Sequence, residues 1–285
     1  MMKVLQKFRW VGFLGALSLT CAAHSETQEV VLQPSSGWNL KEANDACTVY
    51  RRFGAADRPV LLRLSRSHLG TSSAEVTLSG YPVEGVAPDV PVTVAFVPGA
   101  PIDGGLPLSA QNSQFGATII LRTRFGGNSS EIRLPGVETA GAVQRVAISA
   151  GDMNVMLETG SMGEALADLD RCVNDLYSGW GVDPTMKGRI SKYPKLLDPM
   201  AFTADVLKRY PLELARLGKE GRVPFVVIVD ANGAVIGCHV VQSYADKGFD
   251  EPVCDAVRKA RFSPALDSDK KPMTWVLDSA AIFKL

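Results

Sequence analysis

The chain has 285 residues, with 30 Lys and Arg against 30 Asp and Glu, so its formal net charge is zero. With 46% hydrophobic and 21% charged residues it has enough apolar material for one or two cores. Balanced charge argues against an overall attraction to nucleic acid or acidic membranes, and five cysteines without zinc-ribbon spacing plus three histidines leave little for metal or His-based catalysis.

Residues 1–25 read as a secretory leader. Lys3, Lys7 and Arg9 make a positive start, an apolar stretch runs from Trp10 to Leu19, and small residues offer a cut after Ala23 or after Ser25. The alternative is an uncleaved anchor in the inner membrane. The apolar run is shorter than the ~20 residues that a spanning helix needs. A lipid-modified Cys21 is a poor fit, because Ser18 and Thr20 stand where a lipobox has Leu and a small residue. Export would remove basic charge together with Cys21, and also His24 if the cut follows Ser25, leaving a slightly acidic chain with Cys47, Cys172, Cys238 and Cys254. An even set in an exported chain points to disulfides, and four cysteines allow three connectivities. There is no CxxC to support a redox enzyme.

Residues 26–181 are expected to form an antiparallel β-rich domain closed by one helix. Strands are predicted around Val49–Arg51, Val60–Leu64, Glu75–Leu78, Val92–Val97, Thr118–Arg122, Glu131–Leu134, Val146–Ile148 and Val155–Leu157. Gly- and Pro-rich turns separate them, including Gly80-Tyr81-Pro82, Pro98-Gly99-Ala100-Pro101 and Gly126-Gly127. Strands at this spacing without helical text between them suggest a sandwich or barrel-like sheet. The pattern then becomes helical. Ser161 and Glu164 have capping-box spacing, and Leu166, Leu169, Val173, Leu176 and Trp180 form one apolar stripe. Cys172 lies beside that stripe, facing the β layer.

Residues 182–205 have weak periodicity and three prolines, Pro184, Pro194 and Pro199, and are expected as a linker. Residues 206–285 read as a small α-β-β-α-β domain, which makes the whole chain α+β. A helix carrying Val206, Leu207, Tyr210, Leu214 and Leu217 leads into the run Val223–Val229. Asp230-Ala231-Asn232-Gly233 is a hairpin turn with Gly supplying positive φ, and Ala234–Gln242 is the return strand. Phe249, Val253, Val257 and Ala260 have helical spacing, and a last strand runs from Met273 to Phe283. Pro264 cannot continue the helix and redirects the chain.

Tyr210-Pro211, Gly221-Arg222-Val223, Val229-Asp230 with Gly233, and Ala260-Arg261-Phe262-Ser263-Pro264-Ala265 stand in an order and spacing that resemble the TonB C-terminal domain family. The resemblance implies a non-catalytic envelope protein, without cofactor or metal, in the periplasm of a Gram-negative bacterium. It implies an outer-membrane receptor or another envelope protein as partner, bound by adding its strand to the sheet. The edge offered would be Thr274, Trp275, Val276, Leu277, Asp278, Ser279, Ala280, Ala281 and Ile282. A bridge Cys238–Cys254 fits a pattern in a subset of such domains, and with that pair assigned Cys47–Cys172 is the expected second bridge. Two features depart from an energy transducer: the cleavable leader, and a folded β domain where a Pro-rich spanner is expected. A peptidoglycan- or envelope-binding structural factor is therefore a second reading, and an envelope hydrolase a third that lacks a motif. His68 and His239 are expected as surface or edge residues, with no nucleophile elbow near either.

Overall fold

The computed structural model describes residues 29–67, 73–122, 132–241 and 245–285. The leader at residues 1–25, His68 and Gly126-Gly127 lie outside the described residues.

The N-terminal half runs β1 (Val30–Leu32), β2 (Asn39–Glu42), β3 (Cys47–Phe53), β4 (Val60–Arg66), β5 (Glu75–Ser79), β6 (Thr93–Val97), β7 (Ile102–Asp103), β8 (Leu108–Asn112), β9 (Gly116–Leu121), α1 (Val137–Ala140), β10 (Arg145–Ala150), β11 (Met153–Glu158) and α2 (Gly163–Gly179). These strands build two sheets, ordered β2-β3-β4-β5-β9-β8 and β1-β11-β10-β6-β7. All pairs are antiparallel except β1 with β11. Side chains alternate across a strand, so Val49, Leu62, Leu64, Val76 and Leu78 of one sheet share a buried core with Val94, Phe96, Val146, Ile148 and Leu157 of the other. On the same sheet, cross-strand hydroxyls satisfy each other, Thr48 with Ser65 at 2.8 Å and Thr118 with Ser79 at 2.8 Å. Of the predicted Glu131–Leu134 strand, Glu131 is not described, and the described part pairs as an isolated bridge between Arg133 and Ser73 in place of a full strand.

Helix α2 packs on β2 and β3 through Ala165, Leu166, Leu169, Cys172, Val173 and Tyr177. Cys172 is bonded to Cys47 of β3, with 6.0 Å between Cα atoms. The capping box does not form. Met162 is the N-cap, and Ser161 Oγ donates to the Gly141 carbonyl (3.2 Å), tying the helix start to the turn after α1. Tyr177, absent from the predicted stripe, is fully buried and donates its hydroxyl to the Ser67 carbonyl (3.0 Å). Arg66, 8% exposed, pairs with Asp170 of the same helix.

The rest of the chain runs β12 (Ile190–Lys192), β13 (Lys195–Leu196), α3 (Pro199–Lys208), α4 (Leu212–Arg216), β14 (Gly221–Val229), β15 (Val235–Val240), α5 (Asp250–Lys259), β16 (Phe262–Ser263), β17 (Ala265–Asp267), β18 (Pro272–Met273) and β19 (Trp275–Phe283). The segment expected as a linker carries two short strands and the start of a helix. Strand β12 pairs with β17, β13 pairs with β16, and Asp198 caps α3 by accepting from the Ala201 amide (2.9 Å). The single helix expected from Val206 to Leu217 is two helices. Pro211 supplies no amide for a continuing ladder and disfavours helical geometry at Tyr210, so the chain breaks there.

The last sheet has the order β15-β14-β19. One face, with Val223, Phe225, Val227, Ala281 and Phe283, forms a core with Val206, Leu214, Phe249, Val253 and Val257 of the helices. Val226, Ile228 and Val276, from alternate positions of the sheet, join the core of the N-terminal half. The Trp180 indole, just past α2, stacks flat on His239 of β15, with centroids 4.1 Å apart.

Candidate partner-binding edge

The residues from Tyr210 to Ala265 that carry the resemblance hold the C-terminal sheet in place. Tyr210 points its ring edge-on at Phe249 and Phe283, 5.7 and 5.3 Å between centroids, and its hydroxyl donates to the Lys219 carbonyl at 2.5 Å. Burial and the nearby Glu220 carboxylate raise the Tyr210 pKa, so the hydroxyl stays a donor. Pro211 ends α3 and serves as N-cap of α4. Gly221 opens β14 against the Phe249 ring; a Cβ there would lie 2.6 Å from a ring carbon. Gly233 has φ +84°, and a Cβ would lie 2.3 Å from the Phe262 carbonyl oxygen. Phe262 and Ala265 are buried on either side of Pro264, whose ring packs beside the Gly233 turn. In that turn Asp230 Oδ1 accepts from the amides of Asn232 and Ala234, each at 2.8 Å, and these bonds hold its carboxyl below its ordinary pKa. On β15, Cys238 points to the helix side and is bonded to Cys254 of α5, Cα atoms 5.7 Å apart. His239, its neighbour, points the other way beneath Trp180. Burial lowers the His239 pKa, so the stacked ring is neutral at pH 7.

Strand β19 pairs with β14 over nine positions, from Gly221–Phe283 to Val229–Trp275. Thr274 precedes it, and the remaining residues of the expected edge, Trp275 to Ile282, lie within it. Among the described residues no other strand pairs with its far side. The direction of its backbone groups follows from one residue, Pro224, in the central strand. The Val241 amide donates to the Pro224 carbonyl (3.0 Å), so Pro224 turns its backbone toward β15. In an antiparallel strand a residue's N–H and C=O point to the same side, and this side alternates along the chain. Pro224 and Ala280 are therefore a non-hydrogen-bonded pair, and the backbone groups of Val276, Asp278, Ala280 and Ile282 point away from β14. The alternate residues Trp275, Leu277, Ser279, Ala281 and Phe283 bond to β14. A central-strand proline costs a ladder bond at most positions. Here its missing amide falls where β15 ends, so the β14–β19 ladder stays whole.

The outward row is graded. Val276 is buried, Asp278 and Ala280 are half-buried, and Ile282 is 58% exposed. Arg222, opposite Ile282 on β14, has its pKa lowered by burial and secondarily by Arg122, which brings a basic side chain of the N-terminal half close to this end of the sheet. Pro224 was the signal that sequence reasoning passed over: it sits inside the apolar run Val223–Val229, and only the register shows which edge it spares. Among the described residues there is no cluster of three or more His, Cys, Asp or Glu that could hold a metal. No helix among them is long and apolar enough to cross a membrane.

A three-stranded sheet with helices on one face and a long edge strand on the outside makes this a small α+β domain. Residues 206–285 match the family model described as the Gram-negative bacterial TonB protein C-terminal, and so bear out the resemblance read from Tyr210 to Ala265. The solution NMR structure of the Pseudomonas aeruginosa TonB CTD is 27% identical over 32% of this chain and 84% of that chain, with a TM-score of 0.25. The solution NMR structure of the Helicobacter pylori TonB-CTD is 18% identical over 39% of this chain and 91% of that chain, with a TM-score of 0.23. No curated protein matches the chain.

Proposed function

We propose that this is an exported, non-catalytic envelope protein whose C-terminal domain takes up an extended partner segment along β19, from Thr274 to Ile282. The proposed partner is an outer-membrane receptor engaged in energy-coupled transport. The observation that carries this reading is the outward row of backbone groups at Asp278, Ala280 and Ile282, beyond the buried Val276 and within the segment matched by the TonB C-terminal family. Main-chain bonds from an incoming strand would supply affinity, and side chains on the two faces would supply register. The sheet is already packed on both sides, so little would have to be ordered on binding. Export rests on the leader read in residues 1–25, and a mature start at His24 or Glu26 is the expected result of N-terminal sequencing. An intact Met1 would support an anchored transducer instead.

The test is fluorescence polarisation with labelled peptides from the N-terminal extensions of outer-membrane receptors, against the exported chain and its Ala280→Pro variant. Proline there removes an outward amide and leaves the β14 ladder intact. Saturable binding weakened at least tenfold by the substitution is expected. Equal binding by both proteins would move the partner site away from β19.

A further inference from the structure

Two sequence runs that the C-terminal domain does not use meet in the N-terminal half. One carries Trp38, Cys47 and Arg51; the other carries Thr159, Gly160, Ser161, Glu164 and Cys172. The Cys47–Cys172 bridge joins them. Between the β2–β3 hairpin and the first turns of α2 they enclose an open groove of about 270 Å³, with Val49 and Ala165 in its lining and Trp38, Arg51, Glu164 and Asp168 around it.

Arg51 is built into this groove. Its Nε–H donates to the Ser36 carbonyl (2.7 Å) and its Nη1 to the Thr159 carbonyl (2.5 Å), which fixes the plane of the guanidinium. Gly160, with φ +59°, carries the chain past that nitrogen, so the acceptor is placed by a sharp backbone turn. Both acceptors are neutral carbonyls, and Arg51 makes no ion pair among the described residues. The Trp38 indole flanks the guanidinium at 5.9 Å, and its Nε1–H is buried without a hydrogen-bond partner. Glu164 and Asp168 stand one helical turn apart on α2, so their carboxylates share a face. Glu164 is exposed, and Asp168 shares one oxygen with Arg171 at 2.7 Å.

We propose that this groove binds a small zwitterion, an amino acid or the end of a short peptide, with its carboxylate on Arg51 and its ammonium on Glu164 and Asp168. A simple anion would meet the acidic side, and a simple cation would meet the fixed guanidinium. A neutral sugar would leave Arg51 without a counter-charge. A zwitterion answers both ends, and a planar guanidinium held on two of its sides is pre-organised for a carboxylate. The volume suits a single residue or a dipeptide more than a folded partner.

The test follows the Trp38 indole N–H by NMR in the full exported chain during titration with alanyl-alanine and with free alanine. The same titrations use N-acetylated and C-amidated alanyl-alanine and N-acetylglucosamine. Saturable shifts with a zwitterion are expected, at least tenfold weaker for each blocked form and for the surface double variant Glu164→Gln/Asp168→Asn. Tighter binding of the dipeptide would assign a peptide end, and equal or tighter binding of alanine a free amino acid. Equal binding of the blocked forms, binding of N-acetylglucosamine alone, or no saturable shift with either zwitterion would overturn the proposal.

Discussion

Pro224 and Ala280 face each other across the central and edge strands of the C-terminal sheet, and neither bonds its backbone to the other. This pair sets the parity of the whole edge. Proline at position 280 should therefore be tolerated, whereas proline at 281, which bonds to Val223, removes a ladder bond inside the sheet. We expect Ala280→Pro to shift the denaturant midpoint little and Ala281→Pro to cost about 1–3 kcal/mol, because it leaves a buried acceptor on β14 without its donor. Urea unfolding of the two variants checks this. The reverse order of stability would show that the parity is inverted.

Gly233 is a second fixed point, because two constraints coincide there. Its φ of +84° disfavours any L side chain, and the Phe262 carbonyl occupies the space of a Cβ. A left-handed conformation alone costs roughly 1–2 kcal/mol for alanine, and backbone against Cβ cannot relax cheaply. Gly233→Ala should thus cost more than ~2 kcal/mol in chemical denaturation. A loss below 1 kcal/mol would mean that the hairpin and the Phe262–Pro264 segment are not in contact.

Much of this fold is legible in the sequence wherever one face of an element is buried. Strands β3, β10 and β11 carry buried apolar residues in alternation, β4 carries the apolar run Val60–Leu62 followed by Leu64, and the stripe of α2 is read correctly from Leu166 to Val173. Strand β2 carries no pattern because all four of its residues, Asn39 to Glu42, are exposed; β8 at the opposite edge has three exposed central residues, Ser109 to Gln111, and no buried one. An outer strand gains its stability from backbone pairing, which leaves no hydrophobic pattern to read. Ser161 misled because cap spacing does not say which partner is nearer, and here its hydroxyl donates a hydrogen bond to the Gly141 carbonyl. The edge at Thr274–Ile282 could be located from the order of elements, but its outward residues could not. Those depend on which neighbour Pro224 faces, a fact of register alone.

The two bridges should differ in weight. In the chain-entropy picture a closed loop of 16 residues is worth about 3 kcal/mol and one of 125 about 5 kcal/mol. We expect Cys47→Ser/Cys172→Ser to lower stability more than Cys238→Ser/Cys254→Ser. Calorimetry on both pairs tests this. The smaller loss is expected for Cys238–Cys254 because Phe249, Val253 and Val257 already hold α5 on the sheet. Equal losses would indicate that packing of α2 on β3 survives without its bridge.

The last prediction concerns the contact between the two halves. His239 lies under the Trp180 indole, and burial lowers its pKa below the ordinary 6.5. The sign follows from linkage: the unfolded chain binds this proton more readily than the folded one, so acidification favours unfolding or opening at this contact. The contribution is therefore complete above about pH 6.5 and is lost as the pH falls toward and through the folded pKa. We expect the His239 ring to titrate below 6.5 by NMR, with Trp180 fluorescence changing over the same range. The His239→Gln variant should lose that acid-dependent change and keep the remaining pH profile. Titration at or above 6.5 would mean that the imidazole is hydrated and that the two halves part readily at this point.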